Sequence, residues 1–216
     1  MKRILEIGGG RTPYFIRYKI PWNTENNYIC LDVNEKNLGY SKSAIQTHKE
    51  RGESVPLNPE FILADASILD IPTESVDEVI ISNTLSAPIH YNWDRDGDFV
   101  KLKNESSTIE RIIFKDYNND DPFYSERRNL IQEALRVLSP QGTLSIYTDL
   151  IIYGIHSYEK ILGELKNSPE LICLKDSKEE FRVDEINKEK LTSREFCCCF
   201  RAEVLPRSEV YRFIKI

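Results

Sequence analysis

Apolar residues in this chain fall into short runs separated by polar stretches, and the period of those runs changes along its length. Arg3–Ile7 is a short apolar run closed by Gly8-Gly9-Gly10. It predicts a buried strand that ends in a tight turn. Tyr28–Asp32 is a second run of this kind, Glu60–Ala64 a third, and Val76–Ser82 a fourth that is almost continuously apolar. Between the second and third runs, Leu38, Ala44, Ile45 and His48 recur at roughly helical spacing. They predict a helix from Asn34 to Arg51, with Asn34 placed to cap its start. Continuous apolar strands alternating with helices predict a parallel sheet covered on both faces.

The rhythm breaks at Ala87 and resumes near Tyr124. The intervening stretch is rich in Asn, Asp, Tyr and Lys, with little apolar period. It is too long for a simple connection and reads as an inserted lid-like segment. Ser125–Leu138 is then amphipathic, with Leu130, Ile131, Ala134, Leu135 and Leu138 on one side. Ser139-Pro140-Gln141-Gly142 should stop that helix, and Thr143–Thr148 should be a fifth strand. Ser157–Leu165 predicts another helix. Phe196–Val204 and Val210–Ile216 are β-rich, and their short connection suggests that they pair antiparallel. Residues 1–216 are expected to form one domain carrying the insertion at about 87–124.

Composition narrows the class of protein. The chain is 40% hydrophobic and 30% charged, as expected of a soluble globule. No apolar run is long enough to span a membrane. Met1 to Glu6 runs straight into strand-like sequence, so no secretory leader is expected and a cytoplasmic location is. A net charge of −6 suits nucleic acid poorly, because such binding rests largely on Lys and Arg neutralising phosphates. The five cysteines, Cys30, Cys173 and Cys197-Cys198-Cys199, offer neither a disulfide framework nor paired zinc spacing. No metal site is expected. Asp116, Asp120 and Asp121 read as a solvated loop.

The candidate chemistry lies at the strand ends. Glycines in Glu6-Ile7-Gly8-Gly9-Gly10-Arg11-Thr12 allow a sharp turn and close approach of a ligand. Such a turn also serves nicotinamide and flavin enzymes, or no ligand at all. Here the G-x-G-x-x-G spacing fails, and Pro13 removes an N–H where a pyrophosphate would be bound. Both points argue against a dinucleotide. Asp32 ends the second strand, where an acid can accept hydrogen bonds from ribose hydroxyls or simply cap the next helix. Asp65 ends the third, where it can reach an adenine amino group, with Ala66 offering a backbone N–H, or again act as a cap. Ser82-Asn83-Thr84 ends the fourth. In open α/β sheets all of these ends face one crevice.

These segments resemble the class I S-adenosylmethionine-dependent methyltransferases. Leu5-Glu6-Ile7-Gly8-Gly9-Gly10 resembles that family's first motif, and Leu31-Asp32-Val33-Asn34 its ribose-binding acid. Asp65-Ala66, Ile71-Pro72 and Ser75-Val76-Asp77 resemble its adenine-binding stretch and the lead into strand four. Glu133 to Gly142 resembles the helix and turn before strand five. The resemblance implies a Rossmann-like three-layer sandwich, with a seven-stranded, mostly parallel sheet and an antiparallel C-terminal hairpin strand. It implies S-adenosyl-L-methionine as cofactor and S-adenosyl-L-homocysteine as product. Glu6 would orient the glycine turn, and Gly8, Gly9 and Gly10 would make room for the methionine and ribose. Asp32 and Val33 would bind the ribose end, Asp65 and Ala66 the adenine, and Asn83 would sit beside the methyl donor. The family's third glycine is replaced by Thr12, and Arg11 becomes a candidate for the methionine carboxylate. The family's usual N-terminal cap over the substrate is not expected here, and the 87–124 segment is expected to take its place.

Methyl transfer is an in-line displacement that needs positioning, and a base if the acceptor carries a proton. His90 and Tyr91 lie in the insertion, with Trp93, Asp94 and Asp96 behind them. His90 has the right pKa range for a base, although a loop histidine without chemistry is the commoner case. Tyr91 and Trp93 would stack on an acceptor or merely pack the lid. The expected acceptor is a small molecule, and the expected assembly a monomer or homodimer. One rival is an aminopropyltransferase using decarboxylated S-adenosylmethionine, which would want further acids after strand four. Another is a binding subunit that keeps the fold without activity.

Overall fold

The computed structural model describes residues 1–82, 84, 122–148, 151–152, 155–174, 203–204 and 209–216. In chain order the elements are β1 (Arg3–Ile7), α1 (Tyr14–Arg17), β2 (Asn27–Asp32), α2 (Glu35–Glu50), β3 (Glu60–Leu63) and β4 (Val76–Ser82). They continue as α3 (Pro122–Val137), β5 (Leu138–Thr148), β6 (Ile151–Ile152), α4 (Ile155–Lys166), β7 (Leu171–Leu174), β8 (Glu203–Val204) and β9 (Glu209–Lys215). Seven strands form one sheet in the order β3-β2-β1-β4-β5-β9-β7. The first five run parallel, and β9 runs antiparallel to both β5 and β7.

The sheet is apolar on both faces because alternate residues of its central strands point opposite ways. Leu5, Ile7, Val79, Ile81, Leu144, Ile146 and Phe213 face α3 and α4, where Leu130, Ala134 and Ile161 meet them. Ile4, Tyr28, Cys30, Ile80 and Tyr147 face the other side, against Tyr14 and Phe15 of α1, Leu38 and Ile45 of α2, and Trp22. Two helical layers therefore sandwich the sheet, each burying side chains that contribute about 1.5–3 kcal/mol apiece. Asn34 caps α2, its side chain accepting from Lys36 N–H at 2.9 Å.

The predicted helix stop is more elaborate than a turn. α3 ends at Val137 and the strand begins at once at Leu138, opposite Val76. The register then jumps to Thr143 opposite Glu78, so Ser139-Pro140-Gln141-Gly142 is looped out within the strand. Gln141 takes a φ of 64°, and a Cβ on Gly142 would lie 2.7 Å from both Leu138 Cδ1 and Ser139 O. Lys215 of β9 closes the helix end, donating to Leu138 O at 2.8 Å and Leu135 O at 3.1 Å.

The expected pairing of Phe196–Val204 with the last strand is corrected. Glu203–Val204 pairs with Ile151–Ile152 in a separate two-stranded sheet. The seventh strand is Leu171–Leu174, and it takes the edge of β9 from Arg212 to Lys215. The other edge of those residues is already paired with β5, so no second partner can bond there. The 87–121 part of the insertion lies outside the described residues.

Candidate functional site

The strand order reverses between β1 and β4: from β1 the sheet grows one way to β2 and β3, and from β4 the other way to β5. Such a switch point opens a crevice at the carboxyl ends of the strands. The glycine turn lines it. Gly8 and Gly10 have φ of +72° and +59°, the left-handed region that side chains rarely adopt. A Cβ on Gly8 would also sit 1.6 Å from Thr84 Oγ1, and one on Gly9 would sit 2.6 Å from Cys30 Sγ. Thr84 in turn bonds back through its hydroxyl to Ile7 O at 3.1 Å. The glycines are thus required by the neighbouring strand ends as well as by the turn.

Asp32 ties that turn to α2. Its carboxylate accepts from Gly10 N–H at 3.0 Å, from Asn34 N–H at 2.8 Å and from the Asn37 amide at 3.3 Å. Ser41 donates to Gly10 O at 2.9 Å. Asp32 is 6% exposed, and these three donors make four contacts, two to each carboxylate oxygen, the Asn37 pair being the longest. Val33, next to it, is 48% exposed. Across the edge of the sheet Asp65 is exposed and accepts from Ser67 N–H at 2.8 Å, and Ala66 is buried.

Glu6 sits beneath the turn with no solvent exposure. Both its oxygens accept from Tyr14 N–H, at 3.0 and 3.1 Å, and the Tyr28 hydroxyl donates to Oε2. Burial pushes its carboxyl up to about 7, against the opposing pull of the Tyr28 and Tyr14 hydrogen bonds and the Arg17 charge. The same burial, with Glu6 close by, pushes the Cys30 thiol up to about 12 and the Tyr28 hydroxyl well above its usual range.

Two arginines lie near the turn, and their side chains point different ways. Arg11 lies over the Tyr40 ring on α2, 5.4 Å from its centroid. Arg17 of α1 is the guanidinium that faces the turn: its Nη2 is 3.4 Å from where a Gly10 Cβ would be, and its charge acts on Glu6. The signal was available, since three residues after Tyr14 one helical turn brings a side chain back over the helix start. Asn83, His90 and Tyr91, with Trp93, Asp94, Asp96 and the aspartates at 116, 120 and 121, lie outside the described residues.

This arrangement limits what the crevice can hold. A dinucleotide needs free backbone donors at the first helix to receive its pyrophosphate. Pro13 has no N–H, and Tyr14 N–H is spent on Glu6. A buried acid here would also repel phosphates. The residues suit a nucleoside-bearing ligand without phosphates.

No family model and no curated protein matches the sequence significantly. Solved structures do match the fold. A methyltransferase dependent on S-adenosylmethionine from Aquifex aeolicus aligns over 100% of this chain and 82% of its own, with 12% identity and a TM-score of 0.51. The fold is that of the class I S-adenosylmethionine-dependent methyltransferases. TrmN from Thermus thermophilus shares it at 15% identity and a TM-score of 0.51, over 100% of this chain. The match also extends to the [4+2]-cyclase SpnF, at 20% identity, a TM-score of 0.40 and 68% of this chain. The chain spans 44% of TrmN and 38% of SpnF, less than half of each. In this methyltransferase fold the turn, Asp32 and Asp65 all stand at the carboxyl edge of the sheet. No helix among the described residues is long and apolar enough to cross a membrane.

Proposed function

We propose that this protein transfers a methyl group from S-adenosyl-L-methionine to a small-molecule acceptor, at oxygen or nitrogen. The observation that carries the reading is the bond from Tyr14 N–H to the buried Glu6, which, after a Pro13 that has no N–H, takes a second backbone donor away from a phosphate at the start of α1. In this reading Asp32 accepts the ribose hydroxyls in place of the 3.3 Å bonds from Asn37, and Asp65 and Ala66 meet the adenine. Gly8 and Gly10 let the ligand approach the backbone. Glu6 holds the turn through Tyr14, and Arg17 replaces Arg11 as the cation for the methionine carboxylate. That charge favours S-adenosylmethionine over its decarboxylated form, and so a methyltransferase over an aminopropyltransferase. Asn83, His90 and Tyr91 are proposed to lie on the acceptor side, with His90 as base where the acceptor carries a proton. Net charge of −6 supports a metabolite over a nucleic acid as acceptor, and a cytoplasmic monomer or homodimer is the expected setting.

The test is calorimetry with S-adenosylhomocysteine, decarboxylated S-adenosylmethionine and NADH. Binding of the first well above the other two, lost by about tenfold or more in Asp32→Ala, is expected, since removing a buried acceptor costs roughly 1–3 kcal/mol. Absence of S-adenosylhomocysteine binding would overturn the reading, and a preference for the decarboxylated cofactor would favour the aminopropyltransferase.

A further inference from the structure

The stretch from Asp65 to Ser75 has neither helix nor strand, yet its backbone is held at many points. Ala66, Leu69 and Ile71 are buried in the core under it. Its middle, from Leu69 to Thr73, is gripped by two residues of α3. Glu133 Oε2 accepts from Leu69 N–H at 2.9 Å. Arg136 donates through Nη2 to Leu69 O at 2.8 Å, and through Nη1 to Ile71 O at 3.0 Å and Thr73 Oγ1 at 3.2 Å. The two side chains are themselves joined as a fork, Nε to Oε1 and Nη2 to Oε2, each at 2.9 Å. Past this clamp Glu74 N–H and Ser75 N–H bond to Arg136 O and Val137 O at 3.0 and 2.9 Å.

We propose that Glu133 and Arg136 are positioning residues for the base end of the cofactor crevice, and that they set how strongly the protein selects a purine bearing a 6-amino group. The inference rests on the proposed cofactor, and adds two residues that touch no ligand. One end of the loop is fixed where β3 ends, by Ala64 N–H donating to Asp32 O at 3.2 Å, and Asp65 O then accepts from Ile68 N–H in a local turn at 3.2 Å. The clamp fixes the other end at Leu69 to Thr73. Between these ends Ile68 is 79% exposed, an apolar side chain available to lie on a purine face. Asp65 is the loop's only acid before the clamp, and it reads the exocyclic amine. Its discrimination depends on a carboxylate held in place, because a hydrogen bond weakens steeply with distance and angle. A guanidinium serves this purpose and an ammonium does not. Arg136 reaches two carbonyls, a hydroxyl and a carboxylate at once from one planar group. The Glu133 carboxyl is held below the usual carboxylate range by its hydrogen bond to Arg136, so the pair stays charged at neutral pH.

The experiment compares Arg136→Gln, Arg136→Lys and Glu133→Gln with the parent chain, measuring binding of S-adenosylhomocysteine and of S-inosylhomocysteine, which carries a 6-oxo group. The parent should prefer the adenine ligand by about tenfold or more, the worth of one hydrogen bond at a polar group. In the Arg136 variants that ratio should fall toward one, and Glu133→Gln should lower it less. General loss of stability would weaken both ligands together and leave the ratio alone. An unchanged ratio in a folded Arg136 variant would overturn the proposal. If Arg136→Gln does not fold, Arg136→Lys, which keeps the charge without the fork, is judged by the same ratio. A parent chain that binds neither ligand would instead overturn the proposed function on which this rests.

Discussion

The pH dependence of stability should carry the signature of Glu6. Its carboxyl is buried beneath the glycine turn, and burial raises it from 4.5 to about 7. A folded state that holds a proton more tightly than the unfolded chain gains stability where that proton is present. The contribution is therefore complete below pH 4.5 and is lost as the pH rises to about 7, above which it is constant. The gap between 4.5 and about 7, at about 1.4 kcal/mol for each tenfold in proton affinity, corresponds to about 3–4 kcal/mol in full, of which about 3 falls between pH 4.5 and 7. The perturbation is Glu6→Gln, which cannot ionise. Urea unfolding of both proteins between pH 4.5 and 8 gives the difference in stability at each pH, and other carboxylates cancel in that difference. The parent's advantage should shrink by about 3 kcal/mol between pH 4.5 and 7, then stay level. Tyr28→Phe removes a hydrogen bond that favours the charged form, so its loss should continue to higher pH. A stability difference that does not change with pH would refute the reasoning, because it would mean that Glu6 titrates alike in both states.

Gly8→Ala should destabilise the fold by about 2–4 kcal/mol, combining a left-handed φ with a Cβ driven into Thr84. Chemical denaturation checks this, and Thr84→Gly in the same chain should recover the steric part and leave the backbone part. Lys215→Met should cost about 1–3 kcal/mol, since the Leu135 and Leu138 carbonyls lose a charged donor at the end of α3. An unchanged unfolding midpoint in that variant would show that water replaces the ammonium without loss.

Much of the site was legible because its parts are local. Arg3–Ile7 and Val76–Ser82 are apolar runs bounded by glycine or by polar residues, and each is a strand over the expected residues. Asp32 is the last residue of its strand and Asp65 lies two residues past its own, so their place at the carboxyl edge needed no tertiary information. Pro13 announced a missing donor from the sequence alone. Direction was harder to read. Arg11 is nearer the glycines in sequence, yet it leaves toward Tyr40, and α1 swings Arg17 over the turn. Nearness along the chain does not say which way a side chain points after a turn. The Leu171–Leu174 strand was not expected, because four residues with two exposed apolar side chains give little period to detect.

By itself the sequence determined the alternation of strand and helix, the parallel sheet, the glycine turn and the acids at its rim. These follow from apolar period and from residues acting on near neighbours. Tertiary structure decided which strand fills each edge of β9, since hydrogen-bond partners are chosen by geometry after the chain has collapsed. It also decided that Tyr14 and Tyr28 converge on Glu6, and that Glu133 and Arg136 clamp a loop some 60 residues away in the chain. Such long-range polar contacts form only where packing brings the groups within about 3 Å of each other, and no pattern along the chain records that distance.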